Sequence, residues 1–205
     1  WFHTFANAFS GRRTEFGREL ERSGRFDLGL AERRELGSLS IHRVRAAADE
    51  LRPVFHETEM EVPLDNRLAP GDSIRLTLDF TRRIPAPFAE LGKKGRSYLL
   101  AHWHPQVAAR GSEGWHVDGY HLFGRSPGEF ADYDVALTIA SDMAAAATGR
   151  LISRAKESDL LRWPPNLRHG TQSATKTLEF KADNVPDFTL VAGPQLIVLT
   201  DSVRG

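Results

Sequence analysis

The sequence predicts an α+β protein, with a helical N-terminal part followed by a β-rich core of sandwich or jelly-roll type. Two observations predict it. Up to about residue 58, sparse apolar positions lie among charges and alanines at helical spacing. From about residue 59 on, apolar and polar residues alternate in short runs separated by Gly- and Pro-containing turns. Helices first and strands afterwards is the order of an α+β fold, not of an alternating one. At 205 residues the chain fits a single domain, 1–205, since all-β cores reach ~200 residues as one unit.

The elements follow in order. Glu15 to Arg25 and Leu30 to Leu39 are charged with few apolar positions, and Ile41 to Phe55 carries Val44, Leu51 and Val54 among alanines and charges. These read as amphipathic helices packed outside a sheet, the last one broken near Pro53. Ile74, Leu76, Leu78 and Phe80 alternate on one face of a strand that follows the turn Ala69-Pro70-Gly71-Asp72. Ser97 to His104 is a second strand, and the segment after the turn Arg110 to Gly114 is a third. Tyr133 to Ser141 is a fourth. Ala144 to Ala147 is ambiguous, Arg150 to Ser153 is a short strand, and Thr175 to Ala182 alternates again. Phe188 to Ala192, the turn Gly193-Pro194 and Gln195 to Thr200 form a hairpin pattern.

Composition narrows the chemistry. Lys+Arg and Asp+Glu are both 27, so no global field draws the chain to nucleic acid or an anionic membrane. With no cysteine, a disulfide scaffold, a thiol nucleophile and a Cys-based zinc site are excluded. Any metal would be held by His and carboxylate, which favours iron, manganese, copper or a His-rich zinc site. No apolar run is long enough to span a bilayer and no signal-peptide pattern opens the chain, so a cytoplasmic location is expected. The chain opens on Trp1 and closes on what reads as an unfinished strand, so further residues are expected beyond one or both ends.

The chemistry centres on Trp115-His116-Val117-Asp118-Gly119. On a strand, His116 and Asp118 point to one face, where an imidazole and a carboxylate can take adjacent positions on a metal. With one distant His they would form the facial triad of a non-haem Fe(II) oxygenase. Tyr98, His102 and His104 would share one face of the Ser97–His104 strand and line a cavity, holding a co-substrate carboxylate or the substrate.

These motifs give the segment from about 95 to 205 a resemblance. His116-Val117-Asp118, followed late by Gly193-Pro194-Gln195 and an apolar strand to Asp201-Ser202, resembles the double-stranded β-helix of the Fe(II)/2-oxoglutarate-dependent oxygenase superfamily. The resemblance implies a jelly-roll core, Fe(II) on His116, Asp118 and a distal His, and 2-oxoglutarate and molecular oxygen as co-substrates. It also implies oxidation of a C–H bond in a small polar molecule, an amino acid or natural-product intermediate. Asp118 argues against halogenation, because the halogenating members lack that carboxylate. The distal His is expected just beyond Gly205, ahead of His169, which lies in a Pro-rich loop. Two other readings stand beside this one. One is a non-catalytic jelly-roll module that uses the same cavity to hold a small ligand. The other is a cupin-type metalloenzyme independent of 2-oxoglutarate, with His102 and His104 as its metal pair.

Overall fold

The computed structural model describes residues 1–86, 90–124, 128–153 and 174–196. It is mostly β-sheet. The strands begin with β1 (Phe2–His3), β2 (Ser38–Ala46), β3 (Asp49–Leu51), β4 (Val54–Phe55), β5 (Glu59–Glu61) and β6 (Leu76–Arg83). They continue with β7 (Leu91–Lys94), β8 (Ser97–Leu100), β9 (Gln106–Val107), β10 (Arg110–Gly111) and β11 (Gly114–Trp115). The last are β12 (Ala131–Ala140), β13 (Ala144–Ala147), β14 (Arg150–Leu151), β15 (Thr175–Val185) and β16 (Leu190–Gly193). Helical structure consists of a 3₁₀ turn at Phe5–Ser10, α1 (Glu15–Arg22) and α2 (Asp27–Leu30). The chain divides into two compact units, Trp1–Phe88 with His102–Glu129, and Ala89–Ala101 with Phe130–Gly205.

The first unit holds a sheet of order β4-β5-β1-β9, a sheet of order β3-β2-β6 and the ribbon β10-β11. Met60, Val62 and Phe2 of the first sheet region pack with Val44, Ile41, Leu51 and Leu78 of the second. Strand β6 shows why it is a strand: Leu76, Leu78, Phe80 and Arg82 are the less exposed positions, and the residues between them face water. Helix α1 starts at Thr14, whose hydroxyl accepts the Gly17 N–H at 3.0 Å. Phe16 and Leu20 bury its inner face. Phe5, Phe9, Phe16 and Tyr120 form a connected aromatic cluster, with neighbouring ring centroids 5.0–5.6 Å apart.

The second unit holds sheets of order β12-β15-β14 and β13-β16-β8-β7. Leu178, Phe180 and Ala182 are buried at alternate positions of β15. Phe180 meets Phe188, which precedes β16, at 6.2 Å between ring centroids, and Tyr133 of β12 meets the same ring at 5.8 Å. Burial, helped by nearby Asp187, raises the Tyr133 phenol above its ordinary range.

Several expectations are corrected. Ile41 to Phe55 is not a helix but strands β2, β3 and β4. A bulge between Ile41 and Arg43 breaks the phase of the alternation, so the segment does not look like a strand on paper. The two-residue turn Ala47-Ala48 lacks the Gly or Asn that usually marks a hairpin. Leu30 to Leu39 is mostly turn and loop. Gly37 there packs so closely on Pro85 that a Cβ would stand 3.0 Å from its Cδ. The ambiguous alanine run is strand β13. The strand predicted over Ser97–His104 stops at Leu100, because His102 adopts the left-handed region at φ 48°. The second arm of the hairpin after Gly193-Pro194 lies for the most part outside the described residues. No helix among the described residues is long and apolar enough to cross a membrane.

Candidate functional site

The two-residue strands of the β10-β11 ribbon pair Arg110 with Trp115 and Gly111 with Gly114. Arg110 lies over the Trp115 ring at 6.0 Å. His116 follows directly, its N–H bonded to the Ala109 carbonyl at 2.8 Å. Its imidazole covers Gly111, where a Cβ would stand 2.9 Å from Nε2, so the glycine makes room for the ring. His116 and Asp118 are exposed and Val117 between them is partly covered. The setting differs from the expectation, however: β11 ends at Trp115, and the triplet runs on as irregular chain at the surface. Among the described residues no third His, Asp or Glu joins the pair in a metal-holding group. His169 and the residues from 197 on lie outside the described chain. Within the described residues the donor set for Fe(II) is incomplete.

Gly119 also has a local task. A Cβ there would stand 3.4 Å from the Thr58 hydroxyl and 3.7 Å from the Glu59 carboxylate. Beyond it, His121 Nδ1 meets Glu19 Oε1 at 2.6 Å, and the Leu122 N–H donates to Glu19 Oε2 at 2.7 Å. Burial alone would raise the Glu19 carboxyl. The Leu122 N–H and the His121 ring outweigh that effect and hold it below the usual carboxylate range. The loop after the triplet is thus fastened to α1.

The residues expected to line one cavity are not brought together on one strand face. Tyr98 is on β8 in the second unit, while His102 and His104 lie beyond the strand in the first. His102 Nδ1 meets Gln106 Oε1 at 3.2 Å, and His104 Nδ1 donates to the Pro105 carbonyl at 3.0 Å. His104 also stands edge-on to Trp103 at 5.0 Å. His102 belongs instead with a buried polar row that the sequence did not announce. His3 of β1 pairs with Glu59 of β5 on one side and Gln106 of β9 on the other. All three are at most 9% exposed. Strands β1 and β9 are two residues long and β5 three, too short for any alternation to be read.

Arg82 was also missed. Its Nη1 donates to the His102 carbonyl at 3.1 Å, while its Nε and Nη2 are buried without a hydrogen-bond partner among the described residues. Burial pulls its pKa down to about 10. The signal was present, since Arg82 falls in phase with Leu76, Leu78 and Phe80.

The second unit contains a groove of about 440 Å³. Leu137, Ile139, Leu100, Leu190 and Met143 are among its walls, with Tyr98 at one side. Arg96, also at its edge, is held bidentately by Asp142, both N–O distances being 2.7 Å. That contact raises the guanidinium pKa further above its already high value. No family model, curated protein or solved structure matches this chain.

Proposed function

We propose that the chain is a non-catalytic β-rich module that binds a small, uncharged, largely apolar ligand in the groove of the second unit. One observation carries this reading: the groove is walled by aliphatic side chains, and the charge at its edge is already neutralised by Asp142. A volume of this size suits a small molecule, and a satisfied Arg96 offers no unpaired charge to an anion. Tyr98 supplies a phenol to orient a polar end. The test is ligand-observed NMR with a panel of neutral aromatic and aliphatic compounds on the full chain and on Ala192→Trp. The expected result is saturable binding to the parent that raises its melting temperature, and at least a tenfold loss when the indole fills the groove. Binding that survives in a folded Ala192→Trp, or none across the panel, would overturn the reading.

A second reading is favoured by the outward-facing His116 and Asp118 and the room Gly111 leaves the imidazole. It is a jelly-roll oxygenase dependent on Fe(II) and 2-oxoglutarate, completed by a third ligand from outside the described residues. Under it, anaerobic addition of Fe(II) and then 2-oxoglutarate gives a weak visible charge-transfer band that disappears in His116→Ala. Absence of the band, with no iron retained, removes this reading and leaves the first.

A further inference from the structure

Arg82 occupies the last inward position of β6, after Leu76, Leu78 and Phe80. A guanidinium on an apolar row is costly, because a buried charge needs a partner and each of its N–H groups needs an acceptor. Among the described residues Arg82 has one acceptor, the His102 carbonyl, and that is uncharged. No carboxylate among the described residues contributes to its titration, which burial alone displaces. What remains is chemically specific. Nε and Nη2 lie on the same edge of the planar group, and their N–H bonds run parallel. That edge matches the two oxygens of a carboxylate. Two aromatic residues belong to the same neighbourhood: Phe80 precedes Arg82 on the same row of β6, and Trp103, which follows the residue whose carbonyl Arg82 holds, has its ring 6.4 Å from that of Phe80.

We propose that the Nε/Nη2 edge of Arg82 is the anchor of an anion site in the first unit, and that its ligand is a monocarboxylate with an apolar body. One guanidinium edge calls for one negative charge, and the aromatic neighbours call for the apolar body. Both nitrogens are shielded from water in this structure. The ligand therefore enters as the cover of the guanidinium moves, which makes association slow. This site is independent of the groove in the second unit, and either can fail without the other.

The experiment follows the Nε–H resonance of Arg82 in the ¹⁵N-labelled full chain, assigned by its loss in Arg82→Lys. The probes are phenylacetate, a tripeptide ending in Phe, phenylacetamide and chloride. The expected result is a saturable downfield shift with slow exchange for phenylacetate, at least tenfold weaker binding in Arg82→Lys, and no response to the amide or to chloride. A tripeptide that binds more tightly than phenylacetate identifies the carboxylate source as a chain terminus; the reverse identifies a free metabolite. An Nε–H resonance unmoved by either carboxylate, as when an ordered water alone satisfies the edge, overturns the proposal. An equal response to the amide or to chloride does the same. Arg82→Met supplies a second readout. Removing an unpartnered buried charge leaves its melting temperature equal to or above the parent's, and phenylacetate then adds no stabilisation.

Discussion

At the scale of single residues, Thr14 and Glu19 do the most with the fewest atoms. The Thr14 hydroxyl accepts the Gly17 N–H, and its own proton reaches the Ala8 carbonyl at 2.8 Å. It therefore starts α1 and ties it to the preceding 3₁₀ turn. Thr14→Ala should cost about 1–2 kcal/mol in urea unfolding, and Thr14→Ser much less. Glu19 makes stability depend on acid. Its folded carboxyl titrates below the unfolded value, so its contribution is fully present above the ordinary Glu range near 4.3. It is lost as pH falls through the folded value. In Glu19→Gln, stability at pH 7 should drop by about 1 kcal/mol, and the decline below about pH 4.5 should be shallower than in the parent. A parallel pH dependence in both proteins would remove Glu19 from this role.

Among elements, legibility in the sequence followed regularity. Strands β6, β12 and β15 were readable because eight or more residues alternate without interruption. Strands β2 to β4 read as helix because a bulge and a two-alanine turn erased the period-2 signal. Strands of two residues, such as β1 and β9, carry no pattern at all, and so the row of His3, Glu59 and Gln106 was invisible. The triplet at His116 was legible as residue spacing, but its position past the end of a short surface ribbon was not. The turn that misled also yields a test. Ala47 holds φ 53°, a region that costs an alanine and suits a glycine. Ala47→Gly should therefore stabilise the β2-β3 hairpin by up to about 1 kcal/mol, seen as a higher urea midpoint. A loss of stability would mean that the turn keeps its alanine for packing.

For the whole molecule, the ladders differ greatly in length. The β12-β15 pair is in register from Ala131 to Ala140 with one irregularity, and β2-β6 from Ser38 to Ala46 with one bulge. Strands β4, β9, β10 and β14 offer two residues each. Amide hydrogen exchange should be slowest in the two long ladders and at least tenfold faster in the short ones. Truncation of Leu178, 1% exposed in the second unit, to alanine should cost about 2–5 kcal/mol and speed exchange throughout β15. Strand β1 has a consequence of another kind. It sits in the middle of the order β4-β5-β1-β9, between partners that begin at residues 59 and 106. During synthesis, Phe2 and His3 leave the ribosome before either neighbour exists, and they cannot complete their sheet until the chain has grown past Val107. In the interval Phe5 and Phe9 also lack Tyr120, the ring that joins them in the folded chain, so the N-terminal edge is among the last parts of this unit to be completed.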